Sequence, residues 1–178
     1  MQNHSAPASL AWLNALPPEE AAKELLKCCG SARWAQTMSQ RRPYASVEEL
    51  TRAANEVWWL LTHADWLEAF RSHPKIGEKK AAGEVARQSQ QWSGQEQSGV
   101  NEAQQHTIDT LAQLNREYEQ KFGFIFIVCA TGKSADEMLD NLRERIANDI
   151  DAELRIAAAE QAKITELRLK KQIGRAHV

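Results

Sequence analysis

The run Phe124-Ile125-Phe126-Ile127-Val128-Cys129 decides the fold class. Its aromatic and β-branched residues favour a pleated, buried strand. A strand must be paired, yet no second convincing run of this kind occurs anywhere in the 178 residues. The run therefore reads as a buried extended segment inside a helical protein. Its N–H and C=O groups must find partners outside a sheet.

Working outward, the flanking patterns are helical. Upstream, residues 96–121 read as a long helix that closes near Gly123, and Ser93 with Glu96 forms a Ser-x-x-Glu capping box at its start. Downstream, Ser134 with Glu137 opens a helix through Met138, Leu139, Leu142 and Ile146, and a last long helix covers about 149–172. Nearer the N-terminus, Ser46 with Glu49 opens a helix through Leu50, Ala54, Val57, Trp58 and Leu61. A short helix from Asp65 to Arg71 follows, with Trp66, Leu67 and Phe70 facing inward. Ser9 caps a short helix with Leu10, Trp12 and Leu13. Pro17 and Pro18 suit a helix start, and that helix runs through Leu25 and Leu26 to end at Gly30. Another short helix holds Trp34 and Met38 and ends before Pro43. Residues 1–8 read as disordered, and 78–92 as a loop with a short, weakly packed helix. The expectation is an all-α single domain over 1–178, a bundle of about eight helices with one buried extended segment at 124–129.

A chain of this length buries roughly 70% of its unfolded surface, so it needs no covalent staples. Its net charge of -2 argues against a general nucleic-acid or anionic-membrane surface. Cys28, Cys29 and Cys129 cannot all pair, and no Cys/His spacing matches a zinc site. There is no charged-then-apolar leader and no apolar run long enough to span a bilayer. These features point to a reduced, cytoplasmic, soluble protein. Trp12 and Trp34 look exposed, which is compatible with a homodimer.

Three places stand out chemically. The first is Ser72-His73-Pro74-Lys75-Ile76-Gly77. Pro74 pushes His73 out of the helical region, so the preceding helix must stop there. The imidazole sits on a rigid corner, and imidazoles exchange protons near neutral pH. The stretch reads either as a polar turn or as the mount of an acid/base. The second is Glu96, which either closes a cap with Ser93 or, with Ser93 and Gln97, presents polar groups to a pocket at a helix N-terminus. The third is Arg168. On the last helix, Ile150, Leu154, Ala157, Gln161 and Ile164 fall near one line, and Arg168 lands on it five turns after Ile150. An arginine on an inward stripe calls for a carboxylate, carbonyls or an anionic ligand, unless it snorkels at a fraying end. No phosphate loop, dinucleotide fingerprint, metalloprotease motif or nucleophile elbow is present.

Together these pieces resemble the 2-oxo-4-hydroxy-4-carboxy-5-ureidoimidazoline (OHCU) decarboxylases of urate degradation. The resemblance rests on Ser72-His73-Pro74-Lys75-Ile76-Gly77 and Ser93-Gly94-Gln95-Glu96-Gln97-Ser98-Gly99. It continues through Leu114-Asn115, Tyr118, Lys121-Phe122-Gly123-Phe124 and Phe126-Ile127-Val128-Cys129-Ala130. Leu142, Arg145, Asn148, Glu153, Lys163-Ile164 and Leu167-Arg168-Leu169 complete it, so it spans residues 10 to 172. The family often carries an arginine after the Cys-Ala pair; this chain has the uncharged Thr131.

The resemblance implies an all-α enzyme without cofactor or metal that converts OHCU to (S)-allantoin and CO2. It gives His73 the acid/base role and places Glu96 in the catalytic site. Pro74, Ser93, Glu96 and Gln97 would bind the substrate, Glu96 and Gln97 at its ureido and ring NH groups. Backbone around Ile125, Phe126, Ile127, Val128 and Cys129 would fix the ring carbonyl. Arg168 would hold an oxygen near the departing carboxylate. The alternative is a helical module that binds a ureide or carboxylate without turnover; a ureide hydrolase or racemase would release no CO2.

Overall fold

The computed structural model describes residues 9–73 and 97–173, with side chains from residue 104 onward in the second stretch. The expected disorder over 1–8, the loop and helix over 78–92 and the Ser93–Glu96 box lie outside the described residues. Among those described there are eight α-helices and no strand. In chain order they are α1 (Leu10–Ala15), α2 (Pro18–Leu26), α3 (Ala32–Gln40), α4 (Val47–Leu60), α5 (His63–Arg71), α6 (Gln97–Phe122), α7 (Ala135–Arg145) and α8 (Ile150–Ile173).

Local chemistry sets the boundaries. Ser9, Ser31, Ser46 and Ser134 each accept a hydrogen bond from a first-turn N–H of α1, α3, α4 and α7. At α4 the return half of the expected box is shifted, because Glu49 accepts from the Ala45 N–H at 2.7 Å. Thr62 and Asp65 cap α5 reciprocally: Asp65 accepts from the Thr62 N–H and hydroxyl, and its own N–H donates to Thr62 Oγ1. That Thr-x-x-Asp pair starts α5 at His63, ahead of the expected Asp65. α2 stops at Leu26, short of Gly30, where the Lys27, Cys28 and Cys29 N–H groups turn back onto Glu24 and Leu25 carbonyls.

The chain divides into two compact units, Met1–Phe70 with Ala159–Val178, and Arg71–Ala158. In the first, α2 packs on α3 and α3 on α4. Leu13, Leu25, Met38, Leu50, Phe70 and Leu169 are fully buried there. Trp34, expected at the surface, is completely buried, and its indole donates to the Ala54 carbonyl at 3.1 Å. Trp12 remains on the outside at 38% exposure. Trp58 stacks on Trp66, and the Trp66 indole donates to the Trp58 carbonyl at 2.9 Å. Arg42 ties the α1–α2 junction to the end of α3. Its Nη1 donates to the Leu13 and Leu16 carbonyls at 2.7 Å each, and its Nε donates to Ser39 O at 2.9 Å.

In the second unit α6 packs on α7, with Leu111, Tyr118 and Phe122 on the buried stripe of α6. The Thr107 hydroxyl bonds Asp136 at 2.9 Å across that contact. Gly123, at φ +80°, ends α6 with a backbone that other residues resist. Residues 124–129 then run without helix or strand; all are buried except the half-buried Val128.

Replacing Arg42 by Met leaves the Leu13, Asn14, Leu16 and Ser39 carbonyls without their charged donor. We expect a loss of about 1–3 kcal/mol, read as a lower urea midpoint at unchanged slope.

Candidate active site

The described part of the site begins where α5 ends. The helix stops at Arg71, two residues before His73, as the His-Pro dipeptide demands. His73 is half-buried at that corner. Pro74, Ser93 and Glu96 lie outside the described residues, and Gln97 is the first residue of α6 with its side chain outside them. His73 and the Ile125–Cys129 segment belong to the same unit; Arg168 belongs to the other.

The segment is held from its inner side by a buried polar network that sequence reading left without a role. Glu153, in the first turn of α8, is wholly buried, and the Arg145 side chain, in the last turn of α7, is 8% exposed. Arg145 Nε donates to both Glu153 oxygens at 3.1 and 3.2 Å, and Nη2 donates to Oε2 at 3.0 Å. The remaining branch, Nη1, donates to the Ile127 carbonyl at 2.5 Å. The guanidinium also lies over the Phe126 ring, 4.5 Å from its centre. Tyr118 donates its hydroxyl to Glu153, and Asn148 Nδ2 reaches Oε1 at 3.2 Å. Burial first, and then the bond to Glu153, push the Tyr118 phenol up, so it stays a donor. Lys121 seals the α7–α8 turn, donating to the Ile146 and Asn148 carbonyls at 2.5 and 3.1 Å. Phe122, Phe124 and Phe126 pack on Tyr118 around this network.

Arg168 stands differently from its expectation. The inward stripe drawn through Ile150, Leu154, Ala157, Gln161, Ile164 and Arg168 holds at Ala157 and Gln161, which are fully buried, and departs from the buried line elsewhere. Ile150 is 53% exposed, while Leu154, Ile164 and Arg168 are half-buried. Beside Ala157 and Gln161 the buried face carries Glu153, Thr165, Leu169 and Ile173. Four of those six are polar or alanine, so hydrophobic periodicity does not mark the whole face. Arg168 lies where its charge favours the thiolates of Cys28 and Cys29, but burial outweighs it. The Cys28 thiol is pushed up to about 12, and it donates to Gln172 Oε1 at 3.3 Å. Burial likewise pushes Cys29 up to about 11, against hydrogen bonds from Ser31 and Thr165.

Among the described residues no group of three or more His, Cys, Asp or Glu side chains is placed to hold a metal ion. Nor, among them, is any helix long and apolar enough to cross a membrane.

A family model described as OHCU decarboxylase matches residues 14–170. The chain belongs to the OHCU decarboxylase family. It is 39% identical over 145 residues to the uric acid degradation bifunctional protein TTL of Arabidopsis thaliana. That match covers 81% of this chain and 44% of the plant protein, so the chain spans less than half of that longer relative. It is 31% identical over 140 residues to the 2-oxo-4-hydroxy-4-carboxy-5-ureidoimidazoline decarboxylase of Xenopus laevis, covering 78% of this chain and 76% of that one. The crystal structure of an OHCU decarboxylase in the presence of (S)-allantoin superposes with a TM-score of 0.70 at 38% identity, covering 85% of this chain and 97% of that one. The all-α expectation agrees with this family's fold.

The raised thiols carry a sign. The folded state holds these protons more tightly than an unfolded chain, whose thiols titrate near 9.0. Their contribution to stability is complete below that pH and is lost as pH rises toward 11 and 12. We expect the urea midpoint to fall between pH 9 and 11 more steeply in the wild type than in a Cys28→Ala/Cys29→Ala variant. Parallel slopes would contradict this.

Proposed function

We propose that this chain is a carboxy-lyase that decarboxylates OHCU to (S)-allantoin and CO2 in urate degradation, with His73 as its acid/base. The observation that carries the reading is the family match over residues 14–170, which spans the His73 corner, the 124–129 segment and Arg168. In this reading residues 1–178 form one catalytic domain that works in the cytoplasm on a small molecule, and the exposed Trp12 offers surface for a homodimer.

The chemistry suits the residues. As the carbon–carbon bond to the carboxylate breaks, its electron pair passes into the imidazoline ring and CO2 leaves. The ring is its own electron sink, so the step makes no demand for a bound cofactor. An enol-like species remains, and a proton delivered to one face of it sets the configuration of allantoin. His73 delivers that proton from a corner that Pro74 holds stiff, and acid/base help of this kind contributes about 10²–10⁴-fold. Glu96 acts beside it. Pro74, Ser93, Glu96 and Gln97 line the substrate, with Glu96 and Gln97 taking the ureido and ring NH groups. The backbone of Ile125, Phe126, Ile127, Val128 and Cys129 fixes the ring carbonyl, and holding the ring still supplies the positioning term. Arg168 holds an oxygen beside the departing carboxylate. Its grip must not be tighter in the ground state than in the transition state, or it would slow the step.

The test is circular dichroism of freshly generated OHCU with and without the protein. OHCU decays unaided to racemic allantoin. We expect the wild type to give the signal of one enantiomer rapidly. His73→Asn should melt like the wild type and give no acceleration. Near-wild-type turnover in that variant would remove His73 from the mechanism. Racemic decay with the wild type itself would leave a ureide-binding module in place of an enzyme.

A further inference from the structure

We propose that Arg145 is a positioning residue, and that the backbone donor it sets for the substrate is the Val128 N–H. This rests on the reading that the 124–129 segment meets the ring carbonyl, and it names which group does so and what aims it.

The argument is geometric. Among the described residues the segment has no strand neighbour to fix its peptide planes. One plane is fixed from a single side: the Ile127 carbonyl accepts from Arg145 Nη1 at 2.5 Å. The only cis peptide among the described residues is Arg42–Pro43, so the bond between Ile127 and Val128 is trans. In a planar trans peptide the N–H points opposite to the C=O. With the Ile127 carbonyl turned into the core, the Val128 N–H points away from Arg145. Val128 is also the one half-buried residue in a segment otherwise buried throughout.

Arg145 is itself over-determined. Both oxygens of the fully buried Glu153 fix its Nε and Nη2, and the ring of Phe126 lies under its plane. Tyr118 and Asn148 fix Glu153 in turn. A lysine could balance the charge of Glu153, but it has no second branch for Ile127. The fork thus links a charge pair to the direction of one peptide.

Two variants test this, with KM, kcat and the enantiomeric excess of allantoin measured under conditions where each protein is fully folded by its melting curve. Arg145→Lys should raise KM about tenfold or more and lower the enantiomeric excess. Val128→Pro deletes the N–H while leaving the Arg145–Glu153 pair in place, and should raise KM at least as much. Arg42→Met serves as the control: it removes bonds to backbone carbonyls in the other unit without touching the Arg145–Glu153 pair or Ile127, so it should lower the melting temperature at unchanged KM. An Arg145→Lys or Val128→Pro protein with wild-type KM and enantiomeric excess overturns the role. So does a fall in kcat that matches the loss of folded protein. A wild type that gives no turnover overturns the functional reading instead, and this role with it.

Discussion

A guanidinium and a carboxylate buried side by side at Arg145 and Glu153 tie three parts of one unit to a single point: the end of α7, the start of α8 and the extended segment between α6 and α7. Neither charge is tolerable alone at that depth, and removing one partner of such a pair typically costs about 3–5 kcal/mol. The pair is saturated by Tyr118, Asn148 and the Ile127 carbonyl, so its desolvation is offset by real partners. A sheet would have given the 124–129 backbone a neighbour; here a side-chain fork supplies part of what a ladder would.

Much of the helical order could be read directly. Serines at four helix starts behave as caps because a hydroxyl one residue before a helix is the cheapest way to satisfy its first donors. The run at 124–129 was legible as an extended segment, since the sequence shows no second run of its kind, and among the described residues no strand pairs with it. The α8 face was legible only in part. Its buried positions include Glu153 and Thr165, so the line that periodicity drew meets the buried face at Ala157 and Gln161 but ends on Ile150 and Arg168, which lie beside it. Trp34 misled for a related reason: its indole is satisfied inside, by the Ala54 carbonyl, a partner twenty residues away that no local pattern announces.

The site was legible in proportion to how local its constraint is. Pro74 dictates the backbone of His73, and α5 does end at that corner. Arg145 and Glu153 appear in the sequence as two charges eight residues apart, across a helix break. Nothing in that spacing says that they are buried together, or that the third branch of the fork reaches back to Ile127.

The unit made of Met1–Phe70 with Ala159–Val178 is assembled from two stretches far apart in sequence, whereas Arg71–Ala158 is continuous. On a ribosome the continuous unit has all its parts before the other one does. Leu169 and Ile173, buried in the first unit, are among the last described residues to be made, as is Gln172, which receives the Cys28 thiol. Until they emerge, the Cys28 thiol lacks its Gln172 partner and the unit is short of two of its buried side chains. Such long-range closure carries a loop entropy cost that local packing does not. Vectorial synthesis therefore favours an order in which the unit holding His73 and the 124–129 segment is finished before the unit holding Arg168.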